Sequence, residues 1–304
     1  MSQEGYMKRA LRNYVYNEHS SRNIPQITVK PGEVFEVETE LCSGGWLKSI
    51  DTVWSRGKQT GTNPTVVVAV EGALPGESIN VHIHSLEPDT VGYTGFVNRD
   101  HKLANKIIDR DWGHNLRIVR IEDGFVHFSP SLKLPVSPMI GVLGTAPSSD
   151  VVKNSYAGRH GGNMDAQEVR AGAVVTLPVE TPGALLHIGD VHAIQGDGEI
   201  NGTGGIECRG FTTMHVDIIK RPQNNGCVRL ENEDSLCAIA CEGDMENCCV
   251  TAVRELIYWI GQDYGIDERD AYLLLAQVMG MRITQLVNPT RTIIATVKKK
   301  FLVN

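Results

Sequence analysis

The sequence has no apolar run near the roughly 20 residues that cross a bilayer. Its longest stretches, typified by Val66-Val67-Val68-Ala69-Val70, have the length of a buried strand. It has no surplus of positive charge: 29 Lys and Arg stand against 36 Asp and Glu, a formal net charge of −7. No broad field is therefore available to gather nucleic acid or anionic lipid. The opening Met1-Ser2-Gln3-Glu4-Gly5-Tyr6 lacks the apolar core of an export signal, and the seven cysteines lack the paired CxxC units that frame a zinc site. A cytoplasmic protein with free thiols is expected. There is no fixed-period repeat and no low-complexity tract. Nor is there a GxSxG in strand-to-helix context, or a His and carboxylate placed by sequence to activate Cys42 or Cys208.

Turn formers are abundant, with 31 Gly and 13 Pro in 304 residues. Short β-branched stretches alternate with them at intervals of about ten residues, which predicts strands. Examples are Val34 to Thr39, Val66 to Val70, Ile79-Asn80-Val81-His82-Ile83-His84 and Leu116 to Ile121. Glu122-Asp123-Gly124, before Phe125-Val126-His127-Phe128, signals a hairpin. Late in the chain the period changes. Cys249, Val253, Leu256, Ile257, Ile260 and Tyr264 share one face of a helix predicted from about Asp244 to Tyr264, with Gly265 as its stop. A second helix is predicted from Asp267 to Gly280, followed by strands over 282–287 and 292–297. The chain thus reads as mainly β. Residues 1–135 form a β-sandwich portion, 136–222 a central β segment carrying the chemistry, and 223–304 a smaller α+β portion.

The densest functional signal is the stretch from His187 to Glu199, which holds His187, Asp190, His192, Gln195, Asp197 and Glu199. On a strand, Asp190 and His192 point to one face, and the Gly196-Asp197-Gly198 turn can fold Glu199 back toward them. Carboxylate plus imidazole on one face suits a divalent metal; the alternative is a tight turn with solvated acids and a hydrogen-bonded core histidine. A second segment, Gly158-Arg159-His160-Gly161-Gly162-Asn163-Met164-Asp165, offers further ligands or oxyanion donors, or else a polar surface loop. His82 and His84, at i and i+2, share a strand face and could chelate, but the apolar face opposite them turns the pair toward solvent. His19, His101, His114 and His127 stand isolated. The favoured chemical class is metal-assisted hydrolysis, with a cation polarising a scissile carbonyl and Glu199 moving protons.

Several long segments resemble the acetamidase/formamidase family. They are Pro138 to Pro147, His160-Gly161-Gly162-Asn163-Met164-Asp165, Leu177-Pro178-Val179 and, most specifically, Gly183 to Glu199, with weaker agreement over Val70 to Glu77 and Gln285 to Thr292. The resemblance implies a β-sandwich followed by a smaller α+β portion, commonly assembled as a dimer or tetramer. It also implies hydrolysis of a small aliphatic amide such as formamide or acetamide to carboxylate and ammonia. The metal-associated site it implies comprises Asp190, His192, Asp197 and Glu199, with His160, Asn163 and Asp165 nearby.

The expected division of labour follows. Asp190, His192, His160 and Asp165 hold a divalent cation, Zn²⁺ first, with Ca²⁺ or Mn²⁺ as alternatives. Glu199, Asp197 and His160 are the catalytic candidates, while Asn163, Gly162 and Gln195 contact substrate or its oxyanion. Three departures bear on substrate choice: Leu41 stands where relatives are expected to carry an acid, Gln195 replaces a residue that is often apolar, and Pro64-Thr65-Val66 lacks the Thr-Gly-Pro turn expected of closer relatives. Other expectations to weigh are a different amide, lactam or carbamoyl substrate at the same site, and a non-catalytic β protein holding structural Ca²⁺.

Overall fold

Strand-forming runs separated by turn residues become, in the computed structural model, one hydrogen-bonded sheet of eighteen strands among the described residues. The structure describes residues 7–96, 103–110, 112–113, 115–221, 223 and 226–302. The Met1–Tyr6 start, His101, His114 and Pro222, where the central segment was expected to end, lie outside these. Most pairings are antiparallel; Lys8–Ala10 with Phe35–Glu38 and Ile27–Val29 with Thr65–Val70 are parallel. The sheet curls on itself, so the two layers of the expected sandwich are continuous through shared strands. Between them lies the main core, which includes Val66, Val68, Ile79, Val81, Ile140, Leu177, Ile188 and Val216.

Two strands form the spine. Ser78–Phe96 and Ile206–Ile219 run antiparallel over most of their lengths, with register shifts between Cys208 and Gly210 and between Thr213 and Met214. As the alternation predicts, Ile79, Val81 and Ile83 are buried, whereas His82 is half-buried and His84 exposed. The hairpin at Asp123-Gly124 has φ of 53° and 78°, the two positive values that a type I′ turn requires. The strand Leu186–Ile194 is covered on both faces and pairs with Met139–Thr145, Thr65–Val70 and Ile206–Ile219. This central placement carries its polar side chains into the interior.

A second core, drawn from residues 227–302, lies where helices Met245–Tyr264 and Glu268–Val278 pack on strands Ser235–Glu242 and Arg291–Lys298. Asp244 caps the long helix by accepting from the Asn247 amide at 2.9 Å, and Gly265 ends it at φ 67°. Its buried face is Cys248, Ala252, Glu255, Leu256, Trp259 and Ile260, rotated by about one residue from the predicted stripe. The reason is polar: buried Arg229 donates from Nε to Glu255 Oε1 at 2.6 Å and lies 4.8 Å from the Trp259 ring centroid. The second helix stops before the expected Gly280, because that glycine opens the strand Gly280–Gln285.

Candidate active site

Asp190 takes a left-handed conformation, φ 59°, in the middle of the Leu186–Ile194 strand. Asp165 (48°), Glu199 (47°) and Asn63 (50°) share that rarely populated region. These four non-glycine residues, scattered in sequence, converge on one buried spot. Such clustering of strained backbone marks sites that the surrounding fold over-determines. Close approach is possible because Gly141 lacks a side chain: a Cβ there would lie 2.7 Å from both Asp165 Oδ1 and Asp190 Oδ2.

Three asparagines bridge the two aspartates. The Asn163 amide, oriented to satisfy its neighbours, donates to Asp190 Oδ2 (3.0 Å) and Asp165 Oδ2 (3.3 Å). It accepts from Asn63 Nδ2 (3.0 Å) and Asn288 Nδ2 (2.9 Å). Asn63 also donates to Asp190 Oδ2 at 3.2 Å, and Asn288 to Asp165 Oδ2 at 2.9 Å. The opposite strand brings Glu207 directly across from His192. His192 Nε2 then lies 3.2 Å from Glu207 Oε2 and 3.5 Å from Asp190 Oδ1. Glu199 Oε1 accepts from the Gly204 amide at 3.0 Å. Burial, then Glu199 and Asp190, hold the Asp165 carboxyl well above its ordinary range. Burial pushes both Glu199 and Glu207 up to about 7, against the opposing pull of His192. For His192 burial acts downward, but Glu207 and Asp190 outweigh it and hold the imidazole well above its usual value.

Even so, Asp190 Oδ1, Glu199 Oε2, Glu207 Oε2 and both His192 ring nitrogens are buried with no hydrogen-bond partner. Orphaned acceptors of this kind are costly. Ligand atoms of Asp165, Asp190 and His192 lie within 4.8 Å of one another, as do those of Cys42, Asp190 and Glu207. The donor set, rich in carboxylate with one imidazole and one thiol, fits a divalent cation.

Of the residues expected from sequence, Asp165, Asp190, His192, Asn163 and Glu199 are brought together. Gln195 is buried beside them, accepting from the Gly205 amide at 3.1 Å. Gly162 sits in the strand ladder opposite Leu143. Asp197 lies instead on the outside, half-exposed, paired with Arg282 at 3.1 Å and accepting from Gln167 Nε2 at 3.0 Å. His160 packs its ring against His19, with centroids 5.1 Å apart, and His19 stacks on His187 at 4.2 Å. Neither His160 nor Asp197 belongs to a group of converging ligand atoms among the described residues. His82 and His84 form a separate cluster with His215. Leu41 is buried in an apolar cluster with Trp46, Leu47 and Tyr93; its neighbour Cys42 is the residue that reaches Asp190 and Glu207. The Cys42 thiol is pushed well up, by burial and then by Glu207 and Asp190, so it is no activated nucleophile.

Glu207, Cys42, Asn63 and Asn288 are the site residues that sequence reasoning missed. Glu207 had a signal, an acid between the apolar Ile206 and Cys208, and Asn288 lay in a segment that carried the family resemblance. A cavity of about 310 Å³ adjoins the cluster, with Gln195, Glu199, Gly204 and Gly205 on one side and Phe128, Leu134 and Ile206 among its apolar walls. Glu199 thus stands between the buried acids and open space, where a substrate can reach it. Larger cavities of about 410 and 660 Å³ have none of these acids in their walls.

Residues 155–298 match the model of the acetamidase/formamidase family. Over 252 residues the chain is 26% identical to a Schizosaccharomyces pombe protein named for formamidase, covering 64% of this chain and 61% of that one. Over 100 residues it is 43% identical to an acetamidase of Mycolicibacterium smegmatis, covering 30% and 24%. The matches thus span less than two thirds of these relatives' own length. A crystal structure of an acetamidase from Bacillus halodurans superposes with a TM-score of 0.89 at 26% identity, covering 96% of this chain and 98% of that one. Sequence over residues 155–298 and fold over nearly the whole length both resemble the acetamidase/formamidase family.

Proposed function

We propose that the protein is a metal-dependent amidase that hydrolyses the carbon–nitrogen bond of a small linear amide to carboxylate and ammonia. The observation that carries this reading is Glu199. It is buried against Asp165, its carboxyl is raised to about 7 by burial, and it faces a cavity that admits substrate. A carboxyl poised near the working pH can take a proton from an attacking water and return it to the departing nitrogen. Asp165, Asp190, His192 and Glu207 would hold a divalent cation, with Cys42 within reach. Zn²⁺ suits the imidazole and thiol, Ca²⁺ or Mn²⁺ the carboxylates. Such a cation, when bound, supplies Lewis acidity to a carbonyl and makes a water more acidic. Gln195, on the cavity wall, can orient the amide group, while the asparagine network fixes the two aspartates.

A second reading concerns the substrate alone. The cavity, about 310 Å³ with Phe128, Leu134, Ile194 and Ile206 in its walls, is roomier and more apolar than formamide or acetamide requires, which favours a longer or substituted carboxamide at the same site. Ammonia release across a panel from formamide to longer carboxamides and lactams, on metal-analysed protein with and without chelator, tests both readings. Chelator-sensitive release is expected, and kcat/KM across the panel separates the short substrate from the long. Silence on every amide with metal still bound would remove the amidase reading.

A further inference from the structure

The two spine strands carry a second polar cluster, roughly 26 Å along Ile206–Ile219 from Glu207. His82 lies directly opposite His215 in the antiparallel register, His84 is two residues from His82, and Asp217 two residues from His215. All four therefore emerge from one face of the sheet. The His82 and His215 rings are stacked with centroids 4.1 Å apart and planes 9° apart. Asp217 Oδ2 sits 3.2 Å from His82 Nε2 and 3.5 Å from His215 Nε2, and the three ligand atoms lie within 4.8 Å of one another.

The geometry points to a second metal site, in which His82 Nε2, His215 Nε2 and Asp217 Oδ2 bind one Zn²⁺ or similar borderline divalent ion and leave a fourth position to water. Bonds of about 2.0–2.2 Å at tetrahedral angles separate neighbouring donors by about 3.3–3.5 Å, and Asp217 Oδ2 lies 3.2 and 3.5 Å from the two imidazole nitrogens; binding would turn the stacked rings out of their parallel planes so that both in-plane lone pairs meet the ion. A plain hydrogen-bonded pair explains the cluster less well, because His82 Nε2 is buried without a hydrogen bond despite the carboxylate 3.2 Å away. Two imidazoles in a set of three select a transition ion over Mg²⁺ or Ca²⁺. His84 completes the arrangement. Its Nε2 lies 2.7 Å from His215 Nδ1, so an Nδ1–H on His215 donates to His84 and leaves His215 Nε2 with a lone pair for the ion. Bound metal would staple the two spine strands well away from the buried acids.

Chelator-stripped full-length protein, titrated with Zn²⁺ and in parallel with Co²⁺ followed by visible absorption, tests the site. His215→Asn and Asp217→Asn should each bind one equivalent of Zn²⁺ fewer per chain than the parent, with amide hydrolysis retained. His84→Gln should keep the stoichiometry and weaken this equivalent by about 10- to 100-fold. Asp217 is half-exposed, so its variant still reports if His215→Asn fails to fold. Stoichiometry and Co²⁺ spectrum in Asp217→Asn identical to the parent would overturn the assignment.

Discussion

His192 and Glu207 face one another across an antiparallel strand pair, with Nε2 and Oε2 3.2 Å apart in the protein interior. Neither atom has hydrogen-bond geometry to the other. Glu207→Gln keeps the shape and replaces one donor oxygen with an amide nitrogen that cannot ligate. Bound divalent metal should fall at least tenfold in affinity, and turnover with it. Elemental analysis after dialysis reads the first, ammonia release the second.

Glu199→Gln separates proton transfer from metal retention. Gly204 donates to Glu199 Oε1, and Gln offers an oxygen for that bond, so the fold and metal content should persist. Turnover should drop by about 10²- to 10⁴-fold. Activity within threefold of the parent would take Glu199 out of the mechanism.

Gly204→Ala should damage the site through space as well as backbone. A Cβ there would lie 1.9 Å from Glu207 Oε1 and 3.1 Å from His192 Nε2, at φ +73°. Gly72, at φ +80° with nothing within 4 Å, supplies the control, since Gly72→Ala carries only the backbone cost of about 1 kcal/mol. Denaturant unfolding should show Gly204→Ala losing about 1–3 kcal/mol more than that control.

Three buried histidines should each contribute an acid-sensitive part of the stability. Burial lowers His19 well below its usual value, His160 to about 4 and His187 to about 3. The unfolded chain binds these protons first, near pH 6.5, so the stability of the neutral imidazoles is complete above that value. It is lost as pH falls toward 4, each histidine adding about 1.4 kcal/mol per pH unit to the slope. The raised carboxyls of Asp165, Glu199 and Glu207 act in the opposite sense over the same window, so the histidine contribution is read by difference. The urea midpoint of His160→Gln should depend on pH between 7 and 4.5 less steeply, in the acid-destabilising sense, than that of the parent, and identical slopes would contradict it.

The β-rich architecture, the helix start near Asp244, the stop at Gly265 and the cap at Asp267 were readable because each rests on local residue chemistry. Asp190, His192 and Glu199 were readable because they lie within ten residues of one another. Glu207 and Cys42 join them only through strand register and curling, which alternation in one sequence does not specify. Asp197 shows the converse. The short helical turn that tucks Glu199 inward leaves its neighbour two positions earlier facing Arg282. The long helix hides another such case: apolar spacing cannot announce a buried Glu255 whose partner, Arg229, is on the strand Val228–Glu231.

The left-handed backbone at Asn63, Asp165, Asp190 and Glu199 makes amino-acid exchange there a question of chirality before chemistry. Asn and Asp tolerate that conformation better than most residues, so three of the four positions already hold the types that suit it, and Glu199 alone does not. Directed evolution should find Glu199→Asp or Glu199→Asn easier on the main chain than any longer side chain. Both draw the carboxylate or amide back by one methylene, away from the cavity. A library at this position will therefore trade thermal tolerance against reach, with few variants holding both.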